Sequence, residues 1–155
     1  MNERAPSFGL TLLAEELEEF QRKIAPKAPF PPPCFTSMEG RFLDYKSRTS
    51  LKVSFPVKAD TLNPEAAMQG GFVTAAFDNV FGPLSYLAAR NPCKTLDIHT
   101  QFIRSIREGD TLIVTANVIG RGTGTIFMTA EAMNSTQRLI ATSSTNLLIV
   151  RRQDL

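Results

Sequence analysis

Between Ala66 and Ala89 the chain carries one charged side chain, Asp78. Val73, Phe77, Val80, Leu84 and Leu87 recur there at helical spacing, and Phe72, Ala75, Ala76 and Phe81 fill most of the remaining faces. The pattern predicts a helix that is apolar almost all round. Such a helix persists in water only where other elements enclose it. The rest of the chain must therefore supply a wrapping. Gly82-Pro83 predicts a kink or an end in this helix, because proline lacks a backbone donor and crowds the carbonyl four residues back.

The wrapping reads as sheet. Leu51, Val53, Phe55 and Val57 alternate with Lys52, Ser54, Pro56 and Lys58, the period of a half-buried strand. Pro56 places the end of that strand at a sheet edge. Gly40 to Tyr45 reads as the preceding strand, with Lys46-Ser47-Arg48 as the turn. Four more strand-like segments follow the helix, at about 94–104, 111–119, 125–133 and 138–150. Glu108-Gly109-Asp110, Gly120 to Gly124 and Asn134-Ser135 separate them, and links this short predict an antiparallel meander. The fold class is α+β, a sheet wrapped around a central helix.

Upstream, Leu10, Leu13, Leu17, Phe20 and Ile24 form one apolar helical stripe. Thr11 is placed to cap its start. Glutamates crowd its early half, Arg22 and Lys23 close it in the order that suits the helix dipole, and Pro26 stops it. Residues 26–33, PKAPFPPP, form an extended connector that is neither helix nor central strand. The chain thus divides into an N-terminal helix with its proline-rich connector, 1–33, and one domain, 34–155.

Composition narrows the function. A chain of 155 residues suits a single domain with a real core. A net charge of +2 is too small for a protein whose main partner is a nucleic-acid backbone. No apolar run reaches the ~20 residues that cross a bilayer. The N-terminal MNERAPSFGL lacks the apolar stretch of a secretory leader, so a cytoplasmic location is expected. Cys34 and Cys93 have no metal-ligand spacing and read as reduced thiols; with one histidine in the chain, neither a Cys/His metal site nor a cofactor is expected. His99 itself reads as a structural or partly exposed strand residue.

Asp78 is the residue that packing does not explain. A carboxylate desolvated without partners costs several kcal/mol. Along the helix, Gly71, Thr74, Asp78, Gly82 and Ser85 share a small, polar face that leaves room for an approaching group, although a core aspartate satisfied by a neighbouring strand would also fit. Gln69-Gly70-Gly71 begins the helix. Free N–H groups at a helix start favour negative charge, and glycines leave them open, which makes a candidate oxyanion site. A tight turn is the plainer reading of the glycines alone.

Asn63, Gln69-Gly70-Gly71 and Asp78 resemble the N-x(5)-H-G-G-x(6)-D signature of hotdog-fold acyl-CoA thioesterases of the PaaI-like group. The run from Thr95-Leu96-Asp97 through Phe102 and Arg104, Gly109-Asp110 and Gly120-Arg121 is similar to that family's T-x-D-x-x-x-x-F-x-R, G-D and G-R pattern. The likeness spans about residues 45–150. Gln69 stands where many members carry histidine. Its amide can donate to a thioester oxygen but cannot act as a base, which leaves proton transfer to Asp78.

The resemblance implies a hotdog fold that pairs through its sheets into a dimer, with the active site at the subunit interface; in such families dimers often pair again into tetramers, and the sequence leaves dimer and tetramer both open. It implies hydrolysis of an acyl-CoA thioester without a metal. Asp78 would attack the carbonyl or activate water, Gly70 and Gly71 would hold the oxyanion, Gln69 would contact the carbonyl, and Asn63 would position the carboxylate or the water. Arg121 and then Arg104 are the candidate cations for coenzyme A phosphates, with Thr74 and Gly82 beside the substrate. The rival readings are a non-catalytic acyl-CoA-binding module and a hotdog dehydratase or hydratase, which would need a histidine near Asp78.

Overall fold

The computed structural model describes residues 8–24, 26–27 and 29–151. Helix α1 spans Phe8–Ile24 and a short helix α2 spans Pro33–Ser37. Strands β1 (Arg41–Lys46) and β2 (Ser50–Pro56) lead to the long helix α3 (Gly70–Ala89). Strands β3 (Cys93–Phe102), β4 (Thr111–Arg121), β5 (Thr125–Met133) and β6 (Leu139–Ile149) complete the chain. All six strands form one antiparallel, curved sheet in the order β1-β2-β4-β5-β6-β3. Helix α3 packs against β2, β3, β4, β5 and β6, which is the enclosure its apolar surface demands.

The strand alternation does the enclosing. Leu51, Val53 and Phe55 of β2, Leu112, Val114 and Ala116 of β4, and Ile126, Met128 and Ala130 of β5 all point inward and are buried. From the helix, Phe77, Val80, Phe81 and Leu84 meet them and are fully buried. Each such side chain contributes about 1.5–3 kcal/mol by leaving water.

Four expectations are corrected. First, β3 does not pair with β4; it lies beyond β6, joined from Cys93↔Ile149 to Phe102↔Ala141. Only β4, β5 and β6 follow the meander. A hairpin neighbour needs a tight turn, and residues 103–110 are instead bound elsewhere. Met68 N–H donates to the Ile106 carbonyl (2.9 Å), and Val57 N–H donates to the Asp110 carbonyl (2.9 Å). The free side of β4 is taken by β2, from Ser50↔Asn117 to Pro56↔Thr111. Pro56 is tolerated in that inner strand because β1 stops at Arg41↔Ser54, leaving no β1 residue opposite it.

Second, α3 runs through Pro83 to Ala89, which excludes the end, though not the kink, expected at Gly82-Pro83. The enclosing sheet outweighs one lost backbone bond, and Gly82 spares the helix the clash that proline imposes on a preceding Cβ. Third, α1 spans Phe8–Ile24, so Thr11 lies inside it and is not its cap. Fourth, the proline-rich connector leads into α2, with Pro33 at its first turn, where proline needs no donor.

Helix α1 buries Leu13 and Leu17 and lies on β1 and α3. Glu16 fixes it in place: its carboxylate accepts from the Tyr45 hydroxyl and from the Arg48 guanidinium (2.8 Å). Burial, reinforced by Glu16, pushes the Tyr45 hydroxyl up to about 12. No helix of the described residues is long and apolar enough to cross a membrane.

The Glu108-Gly109-Asp110 turn has a structural task. Gly109 takes a φ of 81° that favours glycine. The Asp110 carboxylate accepts from Thr111 N–H (2.7 Å), Ser135 N–H (3.1 Å), the Ser135 hydroxyl (2.6 Å) and the Asn134 amide (3.0 Å). Burial pushes its pKa up, but these bonds outweigh burial and hold it below the usual carboxylate range. Asp110→Ala should destabilise the protein by about 1.5–3 kcal/mol near neutral pH, by loss of charge-assisted hydrogen bonds. A depressed carboxyl contributes stability above its unfolded-state pKa and loses it as pH falls through the folded value. Urea titrations of wild type and variant should therefore converge in acid. An unchanged gap at low pH would locate the effect elsewhere.

Candidate active site

Asp78 projects from the middle of α3 on the side the sheet leaves open. It is exposed, so the carboxylate escapes the desolvation cost that makes it anomalous in sequence. Its Oδ1 accepts a hydrogen bond from the Thr95 hydroxyl on β3 (3.2 Å). It borders a cavity of about 390 Å³ that also includes Gly82, Tyr86 and Thr95. A Cβ built on Gly82 would meet nothing within 4 Å, so this stretch of helix is an open floor. Thr74, half-buried one turn before Asp78, donates to the Thr100 hydroxyl (3.3 Å). Ser85 departs from the expected polar face: it is fully buried and donates to the Gly82 carbonyl (2.7 Å).

The helix start is built differently from the expectation. Gln69 is the N-cap of α3, and its side-chain oxygen accepts from Gly71 N–H at 2.7 Å. The Gly71 amide is therefore occupied and is not a free oxyanion donor. Glutamine is not a favoured cap, so composition gave no signal of this. Gly70 N–H has no partner among the described residues, since a first-turn donor has none within its helix. The Gln69 amide nitrogen is likewise without a partner there. Gly70 borders a separate depression of about 340 Å³ with Asn63, Phe102 and Arg104. The Phe102 ring lies 3.0 Å from where a Gly70 Cβ would stand.

Asn63 belongs to that second depression and not to the surroundings of Asp78. Its Oδ1 accepts from Glu65 N–H (3.0 Å) and Ala67 N–H (3.1 Å), which closes the loop ahead of α3. Within one chain, Asn63 and Asp78 therefore do not meet. Arg104 is exposed beside Gly70, with one guanidinium nitrogen on the Leu139 carbonyl (2.9 Å). Arg121 caps the far end of α3: its guanidinium donates to the Ala88 and Ala89 carbonyls, both at 3.2 Å. Sequence reasoning missed this role, which complements the negative end of the helix. His99 is 77% exposed on β3, with Asp97 its nearest carboxylate at 3.8 Å. Both cysteines are free; burial pushes the Cys93 thiol up, and Cys34 is exposed.

Gly70 and Asp78 are eight residues apart, so about 12 Å of helix separates them. A carbonyl attacked from about 3 Å on one side and held by a donor about 3 Å from its oxygen cannot bridge that span.

Residues 67–141 match the model of the thioesterase superfamily. No curated protein matches the chain by sequence search. Among solved structures, the PaaI protein of the Escherichia coli phenylacetic acid degradation operon is 19% identical with a TM-score of 0.77, over 90% of this chain and 96% of its own. A phenylacetic acid degradation-related protein of Ralstonia eutropha is 25% identical with a TM-score of 0.71, over 84% and 98%. A Streptococcus mutans protein solved with acetyl-CoA is 18% identical with a TM-score of 0.68, over 72% and 88%.

Proposed function

The chain belongs to the hotdog-fold thioesterase superfamily as a PaaI-like member, and on that premise we propose that it hydrolyses acyl-CoA thioesters to the free acid and coenzyme A. The observation that carries the reading is Asp78: a reachable carboxylate at the edge of a largely apolar cavity, in a helix otherwise without charge. Asp78 either takes a proton from an attacking water or adds to the carbonyl itself to give an anhydride that water then opens. In both routes the thioester C–S bond breaks, the thiolate leaves and is protonated, and one water is consumed.

The oxyanion donor is Gly70 N–H, joined by the free amide of Gln69. Because about 12 Å of helix separates Gly70 from Asp78, the site is completed by a second copy that sets its Gly70 against this Asp78. The sheet offers a surface for such pairing. β3 is an edge strand whose outer side has no neighbour among the described residues, and Leu96 and Phe102 on it are each 58% exposed. Pairing of two β3 edges would cover them. Asn63 and Arg104 would then approach the neighbouring carboxylate together with Gly70, Arg104 as a cation for coenzyme A phosphates. Arg121 is assigned first to the end of α3 and is the weaker candidate.

Thiol release from a panel of acyl-CoA esters tests the reading: hydrolysis well above the uncatalysed rate is expected for at least one ester. Binding of the esters without thiol release would favour the non-catalytic acyl-CoA module. Water addition to an enoyl-CoA would favour the hydratase.

A further inference from the structure

The cavity beside Asp78 is not made by the sheet and α3 alone. Its outer wall is supplied by the N-terminal elements: Leu17 and Phe20 of α1, Phe30 and Pro32 of the connector, and Cys34 of α2. Its floor runs along α3 from Asp78 past Gly82 to Tyr86, about 12 Å at helical rise. At Tyr86 the cavity wall meets helix α1. The Phe20 and Tyr86 rings stack there, with centroids 5.1 Å apart and planes within 8°. The same two rings border a second groove of about 290 Å³, lined by the charged Glu16, Glu19, Lys23, Arg48 and Arg90 and by Ile24 and Leu87.

We propose that this cavity receives the acyl chain of the thioester and that the Phe20–Tyr86 stack sets its maximum length. The inference rests on Asp78 acting on the thioester carbonyl, since that places the first acyl carbon at the cavity mouth. An apolar chain of up to about 12 Å then lies between α3 and the connector and is removed from water along its length, which contributes about 0.8 kcal/mol per buried CH₂. A longer chain must part the two rings and enter the charged groove, where its burial is lost and the ion pairs of Glu16 with Arg48 and Glu19 with Lys23 are disturbed. A very short acyl group leaves the cavity unfilled. The substrate class is therefore an apolar acyl chain of intermediate length, selected by the N-terminal helix and connector of the same chain.

Two measurements test this. The first compares kcat/KM for acetyl-, decanoyl- and palmitoyl-CoA. Decanoyl-CoA should be preferred to both others, and Phe20→Ala should raise the palmitoyl-to-decanoyl ratio at least about tenfold by opening the end wall. The second needs neither a variant nor turnover. Cys34 and Cys93 both line the cavity, but Cys34 is exposed and Cys93 is buried, so iodoacetamide should label Cys34 first. The non-hydrolysable thioether S-decyl-CoA should slow that labelling in the wild-type protein, read by intact mass, while coenzyme A alone should not. Protection without hydrolysis of any ester would support the cavity and overturn only the hydrolase reading. Hydrolysis with a flat chain-length profile, or labelling that S-decyl-CoA does not slow, would overturn the cavity assignment and leave the hydrolase reading standing.

Discussion

Asp78→Asn is expected to lower kcat for acyl-CoA hydrolysis at least about 10²-fold, with little change in Tm. Asparagine has the same shape and keeps an oxygen to accept from the Thr95 hydroxyl. The position is exposed, so the substitution leaves no buried polar group unpaired. Only the capacity to take a proton or to attack as an anion is removed. KM should change little, because the binding surfaces along Gly82 and Tyr86 are untouched. Thiol release under saturating ester measures the effect, and thermal melting of the same samples separates chemistry from folding. A variant that keeps the wild-type rate would remove Asp78 from the chemistry and assign hydrolysis to another group.

Gly70→Pro should lower kcat by about 10²–10³-fold, the loss that follows removal of one oxyanion donor. Proline is usually a drastic probe, but here the structure makes it a narrow one. Gly70 is the first residue of α3, where proline is favoured and where its missing N–H breaks no helical bond. Gln69 already has φ −66° and ψ 139°, the extended conformation that proline requires of the residue before it. The nearest atoms to an added Cβ belong to the exposed Phe102 side chain. Gly70→Ala gives Phe102 the same push but keeps the N–H, so it should retain most of the rate. Equal losses in both variants would assign the effect to crowding at Phe102 and not to the donor.

How far the sequence carried these conclusions depended on how local each determinant was. The run from Ala66 to Ala89, charged only at Asp78, demanded an enclosed helix, and strand alternation at Leu51, Val53 and Phe55 identified part of the enclosure. Both signals are properties of neighbouring residues. The pairing of β3 with β6 was not legible, because it is set by where residues 103–110 are anchored, on Met68 and Val57, far away in the chain. Helix α2 is five residues long behind a proline run, too short to show a period. At the site, Asp78 stood out because it broke a pattern. Arg121 did not reveal its cap on Ala88 and Ala89, since that contact joins a turn to a helix end through the folded sheet. The loss of Gly71 as a donor was equally hidden: it follows from one rotamer of Gln69.

The shared site can be tested with a mixed dimer. One chain carries Asp78→Asn and the other Gly70→Pro, each with its own affinity tag, and the pair is co-expressed and purified through both tags. If each site joins Asp78 of one protomer to Gly70 of its partner, the two substitutions fall together in one site and the other site is intact. Acyl-CoA hydrolysis should then reappear in the mixed dimer although both parent homodimers are nearly inactive. A mixed dimer no more active than its parents would show that carboxylate and amide do not meet across two chains.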